Sequence, residues 1–598
     1  MREFSRPVKV EVSAEARLPD TVFARAAAEP GAVALRRQES GQWRDVTCAE
    51  FRDDIAAIAK ALIAAGIGHG DRVGLMSRTR YEWTTIDYAI WSVGAVTVPI
   101  YETSSEEQAQ WILSDSGSTA VFVETAEHAA RVEAVRGELP ALAHVWQIEG
   151  AALAAFAATG ADVDDAAVDE RRGAGGADEL ATLIYTSGTT GRPKGCELTH
   201  RNLLFTILNI INGPLERVFT LEGRRTLLFL PLAHSFARLI QVGCIESKTV
   251  LGHFPTTGPE LIDTLGVYKP TFLLAVPRVF EKVYNKAEQK ATSEGRGKIF
   301  AAAADTAIAY SKALSAGRVP LGLRVKHAVF AKLVYGKILA AVGGRASYAI
   351  SGGSALGDRL GHFFQGIGLA IIEGYGLTET SAPTAVNSPE VNKIGTVGPP
   401  FPGVSLRIGD DGEVLAKGDH IMRGYWGNET ATKDAFDEDG WYRTGDLGTL
   451  DEDGHLSITG RKKEIIVTAG GKNVAPAVIE DRIRGHAIIS QCMVIGDNRN
   501  FISALITIDP DAFEFWKKQN AKSGGIADNI ADPDLIAAVQ AAVDDANKAV
   551  SRAESVRKFT LLPHDFSEDG GEMTASLKVK RHVVAQRYRK EIDEIYAS

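Results

Sequence analysis

Residues 182–199 read TLIYTSGTTGRPKGCELT, a β-branched apolar run that opens into hydroxyl and glycine residues and reaches a lysine. Thr186, Ser187, Thr189 and Thr190 supply hydroxyl donors, Gly188 and Gly191 let the backbone fold closely around an anion, and Lys194 adds a point charge. Phosphate binding is the chemistry this predicts. The commonest phosphate loop, G-x-x-x-x-G-K-[ST], is excluded, because Pro193 precedes the lysine and Gly195 follows it. Three further segments repeat the design of an apolar strand emptying into a polar or glycine-rich loop: TLLFLPLAHSF (226–236), YAISGGSAL (348–356) and LAIIEGYGLTET (369–380). In open α/β sheets ligands gather beyond the carboxyl ends of strands, so these four loops are expected to converge on one site.

The pattern [YF]-T-S-G-T-T-G-x-P-K-G matches at every position from Tyr185 to Gly195, and EGYGLTET follows at 373–380. With these motifs the chain resembles the AMP-forming adenylating superfamily, which contains acyl-CoA synthetases, luciferases and peptide-synthetase adenylation domains. The resemblance implies that the first loop, with Lys194, holds the β- and γ-phosphates of ATP. Gly353 and Ser354, beside Gly352, and then Glu373, Gly374 and Tyr375 would line the adenine. Thr378 would touch the α-phosphate and Glu379 would help to hold Mg2+, a hard cation that prefers carboxylate and phosphate oxygens. Asp446 in WYRTGDLG (441–448) and Arg461 in GRKKE would hold the ribose. His234 stands where relatives carry an aromatic residue near the acyl carboxylate. Arg278 in VPRVFEKVY is expected to pair with Glu281 on the helix that follows.

In GEMTASLKVKR (571–581) the resemblance assigns the catalytic lysine to Lys578. Many relatives have a Ser/Thr-Gly pair before that lysine, whereas Ser576-Leu577 stands here, so Lys580 is a rival. One lysine cannot serve both half-reactions, and the resemblance implies a small C-terminal domain that rotates about a hinge at Lys463. Gly470 and Gly471 would then come to the acyl site and leave room for the pantetheine arm of CoA. VPRVFEKVY, a helical insertion and GGKNVAP are most similar to the bacterial long-chain fatty acid CoA ligases. The implied reaction joins a fatty acid to CoA through an acyl-AMP, with ATP consumed to AMP and pyrophosphate. Two alternatives stay open: a fatty acyl-AMP ligase that hands the acyl group to a carrier protein, and a non-catalytic nucleotide-binding scaffold.

The elements that must position these groups follow from periodicity. Phe51, Ile55, Ile58 and Leu62 mark one helix face, Gly66 stops it, and RVGLM (72–76) follows as a strand. Helices near 80–94 and 105–115 alternate with VTVPIY and TAVFVE, the rhythm of a parallel α/β sheet. Residues 150–178 read as a surface connection, 285–345 as an inserted helical region with a basic side, and the DEDG copies at 437–440 and 451–454 as plain turns. A last helix is expected over roughly 579–596. The expected fold is α/β: a large N-terminal domain (1–460) of parallel α/β subdomains plus a small β-barrel-like part, a hinge at 461–464, and a mobile α+β C-terminal domain (465–598).

The 598 residues exceed one ordinary core, and 45% hydrophobic with 24% charged residues is the composition of a globular protein. A net charge of -10 argues against nucleic acid as a partner. Cys48, Cys196, Cys244 and Cys492 are too scattered for a zinc site or disulfide framework, which fits a reducing cytoplasm. The N-terminus lacks the apolar core of a signal peptide, and no apolar run approaches the ~18 residues of a membrane span. A cytoplasmic protein is expected, with peripheral attachment at the inner face of a membrane through its basic insertion or tail as a further option.

Overall fold

A computed structural model describes residues 1–597 apart from 40, 187–191, 257, 259, 569 and 575–577. Its first sheet has six strands, and local signals place them. The helix Cys48–Ala64 starts on a capping box between Thr47 and Glu50, buries Phe51, Ile55, Ile58 and Leu62, and is followed by Gly66 at φ +83°. Arg72–Met76 then runs parallel to Val96–Ile100 and to Ala120–Val123. Leu180–Thr186 joins the same sheet parallel to Val96–Ile100, and Lys194–Thr199 closes its edge as an antiparallel strand.

Two four-stranded sheets are smaller versions of this plan, each with three parallel strands and one antiparallel edge. One contains Arg225–Leu228, Val250–His253 and Val33–Glu39, edged by Gln42–Thr47. The other contains Phe272–Ala275, Tyr348–Ser351 and Ala370–Leu377, edged by Ala382–Val386. The barrel-like part is a five-stranded antiparallel sheet, Glu3–Ser5, Ser405–Ile408, Glu413–Lys417, Tyr442–Leu450 and Leu456–Arg461. Beyond it, Ile489–Ile495, Ile502–Ile508 and Val556–Leu561 form a small sheet covered by the helices Pro476–Arg484 and Pro533–Asn547 around a separate apolar core.

Two expectations change. Residues 150–178 are not a bare connection: helices Ala152–Ala158 and Asp165–Gly173 each bury one large apolar anchor, Phe156 and Val168. A single anchor per helix leaves no period to read. The terminal helix is divided at Tyr588 into Arg581–Arg587 and Arg589–Ala597. Arg278 pairs with Glu281 at 3.5 Å, as expected, and also donates to Asp509 at 2.6 Å across to the C-terminal unit. Both DEDG copies are turns in which the first Asp accepts two backbone N–H groups, Asp437 from Asp439 and Trp441, and Asp451 from Asp453 and His455. All four cysteines are free and buried. Among the described residues no helix is long and apolar enough to cross a membrane.

Candidate active site

The strand-to-loop segments meet around an open cavity of about 1190 Å³ whose lining includes Thr186, Lys194, His234, Gly353, Thr378 and Glu379. Ser187, Gly188, Thr189, Thr190 and Gly191 lie outside the described residues. The two strands flanking them are paired, with Thr186 opposite Lys194, so the first motif is the connection of an antiparallel hairpin at the sheet edge. Pro193 sits where that connection re-enters the sheet, and its carbonyl accepts from Trp111 Nε1 at 2.9 Å. Proline fixes φ there without removing a ladder donor. Lys194 Nζ lies 4.9 Å from the centre of the Tyr425 ring, a cation–π contact that steadies the charge.

The second motif owes its shape to Gly376. A Cβ at this position would lie 1.5 Å from the Ala382 carbonyl oxygen, because the strand Ala370–Leu377 and its antiparallel partner cross there with a register shift. The turn then passes through Ser381 and Ala382 at φ 53° and 78°, a costly left-handed pair for side-chain-bearing residues. That backbone presents Thr378 and Glu379 to the cavity. The Ser235 and Thr378 hydroxyl oxygens are 3.5 Å apart. Glu379 Oε1 accepts from Tyr425 Oη at 2.9 Å, which orients the carboxylate while its second oxygen remains for a cation. A carboxylate oxygen that faces the same cavity as Lys194 is a hard donor of the kind that suits Mg2+.

Asp446 and Arg461 are direct cross-strand partners. Arg461 Nε donates to Asp446 Oδ1 at 2.8 Å and Tyr375 Oη donates to Oδ2 at 2.7 Å. Each carboxylate oxygen keeps a second lone pair for a hydroxyl of a ligand. Tyr375 and Arg461 line the cavity, with the buried Asp446 carboxylate behind them. Gly374 also lines it, but Ser354 and Glu373 do not. Glu373 turns instead to accept the Leu356 N–H at 3.0 Å, and burial with nearby Asp358 and Asp481 pushes its carboxyl up to about 7.

His234 caps the helix Ser235–Glu246, its Nδ1 accepting the Phe236 N–H at 3.2 Å. Burial, and then the Lys578 ammonium, hold His234 down to about 4, so the ring is neutral near pH 7. With Nδ1 used as an acceptor, the proton is assigned to Nε2. The helix cap and a place on the cavity wall therefore belong to one residue.

Lys578 arrives from the C-terminal unit. Its N–H donates to Thr574 Oγ1 at 3.0 Å, the Thr574 N–H donates back to the Lys578 carbonyl at 2.8 Å, and Met573 bridges to Val579. Its side chain is exposed and lines the open cavity. Protein walls crowding its ammonium displace some water and lower its pKa, with Arg461 adding to the effect and Asp446 and Glu379 opposing it. Lys580 also lines the cavity. Lys578 is the one whose charge is felt by His234, Arg461, Asp446 and Glu379 together.

Four hydrogen bonds from three residues hold this arrangement. Besides bonding Asp509, Arg278 donates to Ser490 Oγ at 3.3 Å; Arg359 donates to the Gly485 carbonyl at 3.2 Å; and Thr103 Oγ1 donates to Glu568 Oε1 at 2.7 Å. Lys463 lies at the cavity edge, in the short turn Lys462–Glu464 that follows Arg461. Gly470 and Gly471 lie away from the cavity in an exposed turn, with Gly471 at φ +75°. Sequence reasoning missed the apolar arm of the cavity, formed by Ile207 and Ile210 on the helix His200–Ile211 and by Phe236, Leu239 and Ile240 on Ser235–Glu246. It also missed Tyr425, which stands in a loop of no periodicity.

Comparison with known proteins bears on the whole chain. The family description "AMP-binding enzyme" matches residues 22–426, and "AMP-binding enzyme C-terminal domain" matches 463–598. The chain is 53% identical over 601 residues to the long-chain-fatty-acid–CoA ligase FadD15 of Mycobacterium tuberculosis, covering 100% of both. It is 32% identical to the long-chain-fatty-acid–CoA ligase ACSBG2 of Gallus gallus, covering 94% of this chain and 79% of that one. Among solved structures, the anthranilate CoA ligase AuaEII with anthranoyl-AMP superposes at a TM-score of 0.73 and 20% identity, over 97% of this chain and 99% of that one. A Mycobacterium tuberculosis fatty acyl CoA synthetase superposes at 0.62 and 24% identity, over 96% and 99%. These structures share the fold, a large N-terminal domain of mixed α/β sheets with a smaller C-terminal domain. Matched across both of its parts and along its full length, the chain belongs to the AMP-binding enzyme family.

Proposed function

We propose that the protein is a long-chain fatty acid CoA ligase that activates its acid as an acyl-AMP. The observation that carries this reading is the composition of one cavity. Lys194, Lys578 and Glu379 supply charge for a polyphosphate and its cation, Tyr375 with Asp446 and Arg461 forms a nucleoside platform, and an apolar arm opens beside His234. The full-length relationship to ligases named for long-chain fatty acids supports the substrate class.

In the first half-reaction a carboxylate oxygen attacks the α-phosphorus of ATP and pyrophosphate leaves. Negative charge concentrates around phosphorus, and catalysis rests on positioning and electrostatics. Lys194 and the hairpin connection hold the leaving phosphates, Thr378 donates to the α-phosphate, and Lys578 neutralises charge as it develops. Mg2+ held by Glu379 would supply charge neutralisation between phosphate oxygens. Neutral His234, with its Nε2–H, orients the acyl carboxylate without an ion pair that would weaken it as a nucleophile. Asp446 and Arg461 fix the ribose.

In the second half-reaction the CoA thiolate attacks the acyl carbonyl and AMP leaves. Lys578 occupies space near the reacting centre, so the C-terminal unit must withdraw, with Lys463 in the pivot and the Arg278 and Arg359 contacts broken. Gly470 and Gly471 then pass the pantetheine arm. The division 1–460, 461–464 and 465–598 belongs to this reading, as does peripheral association with a membrane. The test is product analysis by mass spectrometry with ATP, Mg2+, CoA and acids from acetate to long chains. Long-chain acyl-CoA with AMP is the expected product set, whereas acyl-AMP without thioester overturns the ligase reading.

A further inference from the structure

The inserted helical region carries a surface that the reaction does not use. The helix Leu321–Phe330 continues through the turn Ala331–Tyr335 into Gly336–Ala341. Its inner side is anchored: His327 stacks on Tyr310 with ring centres 3.8 Å apart and bonds the Gly366 carbonyl, and the Tyr335 hydroxyl donates to the Ala303 carbonyl. Its outer side is apolar too. Leu321, Val325, Val329 and Leu333, spaced one helical turn apart, are 75%, 60%, 51% and 56% exposed. A surface helix ordinarily turns polar residues outward, and a contiguous exposed aliphatic row marks a surface that something covers.

The charge around that row identifies the occupant. From 306 to 357 the sequence contains no Asp or Glu but seven basic residues, Lys312, Arg318, Arg324, Lys326, Lys332, Lys337 and Arg345, in a chain whose net charge is -10. All seven are exposed. Among the described residues, none of the five from Arg318 to Lys337 has an ion-pair partner. An exposed apolar row flanked by long basic side chains suits an interface where aliphatic groups enter the acyl boundary and ammonium and guanidinium groups reach headgroups. Nucleic acid would leave the aliphatic row uncovered. A second copy meeting this face symmetrically would set basic groups against basic groups.

We propose that the helix Leu321–Phe330 and its continuation dock the enzyme on an anionic lipid bilayer. The surface is argued from its own residues, while its use, to take long-chain acids from the membrane in which they partition, rests on the function proposed above. The experiment is co-sedimentation of the full-length protein with phosphatidylcholine vesicles, with and without phosphatidylglycerol, at low and high salt and without ATP or CoA. Two double variants accompany it, Val325→Asp with Val329→Asp, and Lys326→Glu with Lys332→Glu. The expected result is salt-sensitive binding to the anionic vesicles only, weakened at least about tenfold in each variant, with unchanged adenylation of a short, water-soluble acid. Absence of binding, equal binding by the variants, or a dimer that Val325→Asp with Val329→Asp splits without any vesicle binding would each overturn it. Loss of ligase activity with intact vesicle binding would instead fault the functional reading.

Discussion

Replacing Lys578 with alanine separates the two half-reactions. Its ammonium lines a cavity that it shares with Arg461 and Glu379, where nearby protein lowers its pKa. A unit charge about 4 Å from charge developing on the phosphate, at an effective dielectric constant of about 20, is worth about 4 kcal/mol. Water entering the space left by the side chain recovers part of that. The remaining loss is about a hundred- to thousand-fold in rate, the range found when one positioned donor is removed. Acyl-dependent exchange of labelled pyrophosphate into ATP reads the first half-reaction. Conversion of synthetic acyl-AMP with CoA reads the second, which Lys578→Ala should leave unaltered because the lysine has withdrawn by then. Unaltered exchange in Lys578→Ala, with exchange lost in Lys580→Ala, would refute the assignment. A pH signature accompanies it: the exchange rate should fall with rising pH before an ordinary lysine would deprotonate, and that limb should be missing in Lys578→Ala.

Arg278→Ala removes the contacts to Asp509 and Ser490 that fasten the C-terminal unit beside the cavity. It is expected to slow pyrophosphate exchange while sparing thioester formation from acyl-AMP, and equal slowing of both would contradict that role. Gly376→Ala drives a Cβ into the Ala382 carbonyl, and a backbone shift of order 3 kcal/mol should lower the urea midpoint; an unchanged midpoint would show that the crossing yields cheaply. His234, His253 and His420 are held by burial at about 4, 4 and 3, so the folded state binds fewer protons than the unfolded chain below about 6.5. Their stabilisation is full above that value and is lost as pH falls toward 4. Glu246 and Glu373, raised to about 7, act with the opposite sign, stabilising below the ordinary carboxylate range and losing that effect as pH rises through 7. His420→Leu should therefore flatten the loss of stability on acidification by up to about 1.4 kcal/mol per pH unit, read from urea midpoints across pH 4.5–6.5; an unchanged slope would place the acid sensitivity elsewhere.

Thr186, Lys194, Thr378, Glu379 and Arg461, singled out by motifs and the resemblance those motifs carry, are brought to one cavity by the fold, with Asp446 paired across the strand to Arg461. The strands from Arg72 to Val123 were legible because each is a short apolar run set between two helices. Glu3–Ser5 gave no signal, since its partner Ser405–Ile408 lies some four hundred residues away and only long-range pairing makes it a strand. The acyl arm was hidden for a different reason: Ile207, Ile210 and Leu239 read as core, and only the packed fold leaves space in front of them. The Arg278–Glu281 pair was legible because sequence exposes neighbours three apart, whereas Asp509, the second partner of Arg278, is concealed because only the fold brings it near. Glu373 stands in a motif that faces the cavity, yet one residue's alternation along the strand turns its carboxylate to Leu356.

The central claim is that a carboxylate oxygen of the acid attacks the α-phosphorus of ATP in this cavity. Supplying a long-chain acid labelled with oxygen-18 in its carboxylate, together with ATP, Mg2+ and CoA, tests it directly. The account predicts that one labelled oxygen appears in AMP, with none in pyrophosphate, and that the acyl-CoA retains the other. Label in inorganic phosphate, with ADP as the nucleotide product, would contradict it.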